Sequence, residues 1–294
     1  MNSIPAKAIV YKNKSPSAWF GLDYNMNIYR GCSHGCIYCD SRSDCFQNPD
    51  FDTVMVKQNA LQLVRDDLRR KVTKGVVSSG AMSDPYNPLE QELMLTRRSL
   101  ELINAFGFGA SLTTKSDLIA RDADVLQDIA SHSSVLCKIS VTTADDGLSR
   151  LLEPNAPPTS ARFAALHTLA AAGVFCGVFI IPMLPYVTDS TDNLVKLLQM
   201  AHDAGAKFVY TYMGMTLRAG SREYYFEHLD QIASGIKEKY ISRFGMRKHC
   251  QSPSARKLWD VLDAECGRLG LLNSMKAITH AYRAGYGDGQ LSIF

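Results

Sequence analysis

A repeated alternation of short apolar strands with amphipathic helices constrains the fold of this chain more than any other feature. Each apolar run is followed by a segment with helical periodicity, and Gly107, Gly173 and Gly205 stand where three of these helices should end. Strands joined by helices lie parallel in one sheet. The alternation therefore predicts an α/β protein, a partial, TIM-like (βα)6 barrel with a helical C-terminal extension. The predicted strands are residues 25–29, 76–79, 110–115, 135–142, 174–181 and 208–212.

The predicted organisation has four parts around one core. With 294 residues and 46% hydrophobic content, the chain is long enough to bury a single large core. We assign residues 1–24 to an extended approach, 25–220 to the barrel, 221–284 to the helical extension and 285–294 to a flexible tail. Functional residues are expected at the carboxyl ends of the strands, as in other barrels of this type.

Composition excludes several classes of protein. A net charge of +3 is too small to indicate nucleic-acid binding without local basic patches. The eight cysteines show no regular disulfide framework, and the first residues lack the pattern of a secretory leader. No apolar run approaches the length of a membrane-spanning helix. We therefore expect a cytoplasmic protein without a membrane segment.

Three cysteines in one loop indicate metal chemistry. Gly31 and Gly35 accompany them and allow a loop to wrap an inorganic core. A structural zinc site or a closed four-iron cluster would require a fourth ligand, and the nearest spare thiol, Cys45, stands apart. We interpret the loop as the site of a four-iron cluster with one iron open, the alternative being three buried cysteines. The cysteines, separated by three and then two residues, are Cys32, Cys36 and Cys39.

Two predicted strands carry polar side chains on one alternating face, which is unusual for a buried parallel strand. Such a face suits a cofactor that bears a carboxylate and a ribose. The alternative is that the two lysines point outward between helices. The residues concerned are Ser111, Thr113 and Lys115 on one strand, and Lys138, Ser140 and Thr142 on the next.

Two loops at strand ends are rich in polar groups. Residues 80–88 contain Ser83 and Asp84, and their two prolines exclude a continuous helix. Asp84 either contributes to the site or forms an Asx-type turn. Asp145, Asp146 and Glu153 mark a second loop, whose carboxylates could contact a ribose or cap the following helix.

The cysteine loop, with Tyr38 just before its third cysteine, resembles the cluster loop of the radical S-adenosylmethionine (SAM) enzymes. The resemblance implies two cofactors, a [4Fe-4S] cluster and SAM bound to its open iron through the methionine moiety. It also implies that one electron cleaves SAM to a 5'-deoxyadenosyl radical. The electron would come from a donor such as flavodoxin or ferredoxin.

Residues 25–217 resemble more closely the spore photoproduct lyase family and its relatives. The resemblance rests on the cluster loop, the Ser83-Asp84 turn, the Thr114-Lys115 strand end and residues 140–162. It implies that the three cysteines bind the cluster and that the backbone around Tyr38 meets adenine. It further implies that Ser83 and Asp84 line the SAM pocket, and that Lys115 and Ser140 hold the SAM carboxylate and ribose.

Two departures from the lyases predict a different chemistry. The lyases carry a hydrogen-donating cysteine where this chain has Ala81, and a tyrosine where it has Asp40. Cys45 and Tyr86 are the nearest replacements. We predict a radical SAM enzyme acting on DNA, in repair or base modification. The alternatives are a radical SAM enzyme acting on a peptide or small metabolite, and a non-catalytic iron-sulfur sensor or electron-transfer protein.

The C-terminal third carries the densest basic run of the chain, interleaved with Tyr224, Tyr225, Tyr240 and Phe244. Such a stretch could bind phosphates and stack a base, or could be a solvated helix face. Its basic residues are Lys237, Lys239, Arg243, Arg247, Lys248, His249, Arg256 and Lys257.

The last five residues resemble the Gln-Leu-x-Leu-Phe peptide with which bacterial polymerases and repair proteins bind the DNA sliding clamp. A glycine-rich segment precedes them and could let the tail reach a partner. The alternative is that the tail folds back on the barrel. The predicted clamp contacts are Gln290, Leu291, Ile293 and Phe294.

Overall fold

The computed structural model describes residues 2–16, 19–232, 234–284 and 286. The strands are β1 (Ser3–Ile4), β2 (Val10–Lys12), β3 (Tyr24–Met26), β4 (Tyr29–Arg30), β5 (Met55–Lys57), β6 (Val76–Ser79), β7 (Gly109–Thr114), β8 (Val135–Ser140), β9 (Cys176–Ile180), β10 (Phe208–Thr211), β11 (Gly214–Thr216) and β12 (His249–Gln251). The helices are α1 (Ala60–Arg70), α2 (Glu90–Leu93), α3 (Leu95–Ala105), α4 (Ala123–Ala130), α5 (Asp146–Leu152), α6 (Thr159–Ala171), α7 (Thr191–Asp203), α8 (Ser221–Leu229), α9 (Ile236–Phe244), α10 (Ala255–Leu269) and α11 (Met275–Arg283).

The main sheet has seven strands in the order β10-β9-β8-β7-β6-β3-β2. Every neighbouring pair from β3 to β10 is parallel, and β2 joins the edge antiparallel to β3. The six parallel strands confirm the predicted partial barrel, and the helices after residue 220 confirm the C-terminal extension. The strands' carboxyl ends lie at one edge of the sheet, where the site is expected.

The strand before the cysteine loop differs from the prediction. The barrel strand ends at Met26, and Tyr29 and Arg30 turn away to pair antiparallel with β5. Together with β1, these strands form a separate three-stranded sheet. The N-terminal approach is therefore paired as well. It is held by the buried Asp67 carboxylate, which accepts the N–H groups of Ile9 and Val10 at 2.7 and 2.9 Å.

Side chains of the barrel strands alternate between two cores. In β8, Cys137 and Ile139 pack among the outer helices, whereas Leu136 faces the barrel lumen. Near the amino ends of the strands the lumen is filled by aromatic rings. Phe20, Phe208 and Tyr282 belong to this plug, so α11 closes that end of the barrel.

The C-terminal extension packs through its aromatic residues. Tyr225, Tyr240 and Phe244 are buried in a core that also contains Cys36 and Tyr38 of the cysteine loop. These three rings cannot stack a base, because folding buries them against the barrel, whereas Tyr224, the fourth ring of the prediction, is only half-buried. Among the described helices, none has the length and apolar character to cross a membrane. Residues 290–294, the predicted clamp-binding peptide, lie outside the described residues.

Candidate active site

Two glycines shape the cysteine loop. Gly31 has a φ of +83°, and a Cβ there would lie 2.3 Å from the carbonyl oxygen of Thr53. Gly35 has a φ of +70°, and its Cβ would lie 3.1 Å from the amide nitrogen of Asn155. Both positions are in the left-handed region that side chains rarely adopt. The loop can therefore pack closely against residues 51–53 on one side and 154–155 on the other.

Backbone hydrogen bonds hold this loop over the end of β8. The Ile37 N–H donates to the carbonyl of Leu152 at 3.0 Å. The Asn155 N–H donates to the His34 carbonyl at 3.1 Å, and the Asn155 side chain donates to the Ser33 carbonyl at 3.0 Å. The loop and the segment after α5 thus form one unit.

The three loop cysteines are free thiols in a site that fits an iron-sulfur cluster. Cys36 is buried, and Cys32 and Cys39 are half-buried. Burial raises the pKa of Cys36, while the nearby Lys115 opposes this effect. Within the described residues, no group of three ligands converges on the position of a single ion. Such convergence is not needed for a cluster, in which each thiolate binds a different iron.

Asp84 ties the cysteine loop to two strand ends. One carboxylate oxygen accepts the Thr114 hydroxyl at 2.6 Å and the Tyr86 N–H at 2.9 Å, and the other accepts the Lys115 N–H at 2.8 Å. His34 Nδ1 lies 3.4 Å from that second oxygen. Burial alone would raise the pKa of Asp84, but His34 and the hydrogen bonds hold it at about 2. Asp84 thus forms the Asx turn and joins the cysteine loop to the strand ends, and its predicted place in the lining of the SAM pocket stays a prediction.

Ser83 borders a cavity beside the cysteine loop. Its buried hydroxyl has no hydrogen-bond partner among the described residues. The cavity has a volume of about 190 Å³ and is also lined by Gly31, Ser41 and Met82. A buried hydroxyl without a partner is costly, so this position fits a polar cofactor group. The predicted role of Ser83 remains compatible with its place.

Lys115 lies inside the site and not between the outer helices. Its Nζ is 5.7 Å from the centre of the Tyr38 ring. Burial disfavours its charge, but the Cys36 thiol and the Glu153 carboxylate raise its pKa overall. No hydrogen-bond partner for this Nζ occurs in the described part of the chain. Lys115 is therefore a charged donor available to an anionic group.

Glu153 and Arg162 form a buried ion pair that contacts the cysteine loop through Tyr38. Glu153 also accepts the hydroxyl of Tyr38, and Arg162 donates to the carbonyl of Ser140 at 2.9 Å. Both charged side chains are fully buried. Burial would raise the pKa of Glu153, but Arg162 and Lys115 lower it. This pair was not predicted from the sequence, although Arg162 stands at helical spacing from Leu166 and Leu169 on the buried face of α6.

The second polar strand also faces inward. Ser140 is buried at the carboxyl end of β8, where the SAM ribose contact is predicted. Lys138 lies deeper, and its Nζ donates to the Ser111 hydroxyl at 2.6 Å. Its Nζ lies 5.7 Å from the centre of the Phe179 ring, so Lys138 contacts the aromatic plug near the amino ends of the strands. Neither lysine points outward, contrary to the alternative considered above.

The two candidate hydrogen donors are not brought to the site. Tyr86 is 1% exposed and packs among the outer helices, on the side of the sheet away from the lumen. We therefore remove it as a catalytic candidate. Cys45 is exposed on a short 3₁₀ helix, Asp44–Phe46, and does not line the cavity beside Ser83. In the second polar loop, Asp145 caps α5 and Asp146 binds Ser160, so helix capping accounts for both.

The profile of the radical SAM superfamily matches residues 26–198, more than half of the chain. The chain belongs to the radical SAM superfamily. Its cofactors are accordingly a [4Fe-4S] cluster and SAM. The matched segment contains the cysteine loop, Ser83, Lys115 and Ser140, which the fold brings to one end of the barrel.

Relatives of this radical SAM protein occur in distant organisms. An uncharacterized protein of Mycobacterium tuberculosis is 35% identical over 236 residues, covering 78% of this chain and 69% of that protein. Another, from Methanocaldococcus jannaschii, is 27% identical over 266 residues, covering 84% of this chain and 96% of that protein.

Two kinds of solved structure share the fold. A spore photoproduct lyase variant with bound AdoMet and dinucleoside spore photoproduct has a TM-score of 0.66 at 14% identity, over 90% of this chain and 78% of that one. A radical SAM methyltransferase from Kitasatospora setae has a TM-score of 0.55 at 9% identity, over 88% of this chain and 61% of that one. At these identities the likeness establishes the fold alone.

Proposed function

We propose that this radical SAM protein cleaves SAM reductively and acts on DNA, in repair or base modification. The observation that carries the first part is the meeting of the cysteine loop, the unpartnered Ser83 hydroxyl and the charged Lys115 at one end of the barrel. Reductive cleavage of SAM at the cluster would supply a 5'-deoxyadenosyl radical that abstracts a substrate hydrogen atom. A one-electron donor such as flavodoxin or ferredoxin is required.

The chain's own residues would bind and orient the cofactors. Cys32, Cys36 and Cys39 would hold three irons. Lys115 would bind the SAM carboxylate, since its charge has no hydrogen-bonded acceptor among the described residues and a charge-assisted contact is strong. Ser140 would meet the ribose. Glu153 forms its ion pair with Arg162 and favours the charge of Lys115 without a hydrogen bond to it, so the Lys115 Nζ remains available for the cofactor.

Two observations support a DNA substrate. The fold resembles that of a lyase whose structure holds a dinucleoside photoproduct. In addition, the C-terminal extension exposes several cations, including Lys239, Arg243 and Lys248. The first residue of the extension contacts the segment after the cysteine loop, since the Ser221 hydroxyl lies 3.2 Å from that of Ser43, and Arg218 just before it pairs with Asp40. Exposed cations of the extension could bind phosphates.

The missing lyase groups indicate a reaction other than spore photoproduct reversal. Ala81 carries no thiol, and Asp40 is engaged with Arg218. We expect no efficient multiple-turnover repair of spore photoproduct. Clean formation of thymines from that dimer would contradict this expectation and require another hydrogen donor.

The test is the rate of 5'-deoxyadenosine formation from SAM by the anaerobic protein with dithionite. Damaged and undamaged DNA are each compared with no substrate, and DNA should accelerate the reaction. Alanine at all three cluster cysteines should abolish the cluster, its spectral response to SAM and the product. No product from the intact protein would favour the non-catalytic alternative. Product that DNA does not accelerate would favour the peptide or metabolite alternative.

We also propose that residues 285–294 bind the DNA sliding clamp. The support is the sequence Gln290-Leu291-Ser292-Ile293-Phe294. Apolar anchors dominate interfaces of this kind. A synthetic peptide of these ten residues should bind the clamp with an affinity on the order of micromolar. Leu291→Ala with Phe294→Ala should abolish binding, whereas the control Ser292→Ala should not. An unmodified peptide that does not bind would refute the proposal.

A further inference from the structure

A second cavity lies between the segment that follows the cysteine loop and the start of α8. Its volume is about 410 Å³. This is within the range of roughly 300 to 1,000 Å³ typical of small-ligand pockets. None of the three cluster cysteines lines it, so it is not the space for the cluster. It shares Asn48 and Phe51 with the smaller cavity that contains Ser83, and therefore adjoins the space proposed for part of SAM.

Among the described residues, the one cation of its wall, Arg42, is already neutralised. Arg42 makes a two-pronged ion pair with Asp52, with one N–O distance of 2.6 Å. Its guanidinium lies 4.0 Å from the centre of the Tyr224 ring and 5.2 Å from that of Phe51. Asp44 adds a carboxylate to the wall. The net negative lining disfavours a phosphate or carboxylate and favours a neutral ligand.

Three polar side chains of the wall are accessible to a ligand, two of them exposed and one half-buried, and none has a hydrogen-bond partner in the described part of the chain. They are the carboxylate of Asp44 and the amides of Gln47 and Asn48. Phe51, Pro49 and Tyr224 supply an apolar surface beside them. Amide side chains pair with the adjacent donor and acceptor of a base edge, and a carboxylate accepts from a ring amine. A planar, neutral ring with such an edge can hydrogen-bond to the polar side chains and pack against the apolar surface of the wall.

We propose that this cavity binds a nucleobase displaced from its strand. The inference rests on the proposed DNA function, and adds to it how the substrate is held. Enzymes that act on a base within DNA take it out of the stack. Here Gln47 and Asn48 would hydrogen-bond to the base edge, next to the smaller cavity that would take part of SAM. The backbone phosphates would stay outside.

The test uses the full-length, cluster-loaded, anaerobic protein and two duplexes. One has a 2-aminopurine opposite an abasic site, and the other is fully paired. The wild-type protein should bind the first more tightly and change the 2-aminopurine fluorescence. Gln47→Ala with Asn48→Ala should weaken that binding roughly tenfold or more, since two hydrogen bonds are lost. Binding of the paired duplex and the slope of affinity against salt should not change, because phosphate contacts remain.

Two further variants make the result interpretable. Gln127→Ala, an exposed amide on α4, is the matched control and should behave as the wild type. Asn48→Asp retains the size of the side chain and should also weaken binding of the unpaired base. The cluster absorption and circular dichroism of each variant are compared with the wild type to show that folding is retained.

The outcomes separate this inference from the proposed function. If DNA accelerates SAM cleavage but the double variant binds both duplexes as the wild type does, the cavity is not a base site. Equal weakening for both duplexes would also overturn the inference, since the contact would not be specific to a displaced base. If the wild type binds neither duplex and DNA has no effect on SAM cleavage, both proposals fail.

Discussion

The two ends of the barrel lumen each contain a lysine, but in contrasting surroundings. At the carboxyl end, Lys115 lies among groups that favour its charge, the Cys36 thiol and the Glu153 carboxylate, and its pKa is raised despite burial. Toward the amino end, Lys138 has one hydrogen bond within the described residues, to Ser111, and aromatic neighbours. Burial lowers the pKa of Lys138 to about 7.

The difference teaches that an inward-facing lysine is not by itself a sign of a binding site. A buried charge is favourable only where other charges compensate its desolvation. The carboxyl end provides that compensation and keeps a cation available for an anionic cofactor. The amino end does not, so Lys138 belongs to the plug and not to the site.

Removing the Glu153 charge at the carboxyl end of the barrel should have the largest effect on the free energy of unfolding. Glu153→Gln leaves Arg162 buried without a counter-charge, which we expect to lower the free energy of unfolding by about 3–5 kcal/mol. Denaturant titration under anaerobic conditions measures this. The control, Glu153→Gln with Arg162→Met, should recover much of the loss because no unpaired charge remains. A single variant as stable as the wild type would show that the pair is not organised as described.

Replacing the lysine at the amino end should change how stability depends on pH. The pKa of Lys138 is about 7 in the folded protein, against 10.5 ordinarily. Between these values the unfolded chain binds a proton that the folded chain does not, so wild-type stability should rise from about pH 7 to 10. Lys138→Met should remove this rise and be more stable at pH 7 by a few kcal/mol, on the order of the burial penalty. The control is Lys196→Met, an exposed lysine on α7.

Denaturant titrations of both variants and the wild type at several pH values provide the measurement. If Lys138→Met and the wild type respond to pH alike, then Lys138 does not change protonation on folding. The two lysines would then differ in their surroundings but not in their protonation.

Replacing the lysine at the carboxyl end should affect cofactor binding instead. Lys115→Met should weaken SAM binding by about 1.5–3 kcal/mol, the cost of one charge-assisted hydrogen bond, and leave the cluster intact. The spectral change of the cluster on SAM titration reports the affinity. Lys138→Met is the control and should bind SAM normally. Equal SAM affinity in the wild type and Lys115→Met would remove Lys115 from the cofactor site.

The smallest effect is expected at Ser111. Ser111→Ala removes the hydrogen bond that Lys138 donates to the Ser111 hydroxyl and should lower stability by about 1 kcal/mol. In the Lys138→Met background the same change should have almost no effect, which a double-mutant cycle measures. Equal losses in both backgrounds would mean that Ser111 acts through its own packing.

Local patterns were enough to predict much of this protein. The six strand-helix units follow from apolar periodicity, which each segment carries by itself. The cluster loop was recognisable because three thiolates must reach one cluster from a few neighbouring residues. That Lys115 shares a face with Ser111 and Thr113 was predicted because side chains alternate along a strand, and the inward direction of that face was one of two alternatives.

Contacts between distant segments could not be predicted in this way. Tyr38 meets Glu153, which is 115 residues later in the chain, and neither position shows this in its local sequence. Tyr86 was a candidate donor until folding placed it behind the sheet, and Asp84 proved to be a tie between the cysteine loop and two strand ends.

The sequence by itself determined the barrel, its cysteine loop and the faces of its strands, since these depend on spacing along the backbone. Only the tertiary structure decided which charges are compensated, because compensation depends on distance in space. Lys115 lies near the Glu153 carboxylate, which favours its charge, whereas Lys138 has Ser111 as its one hydrogen-bond partner among the described residues.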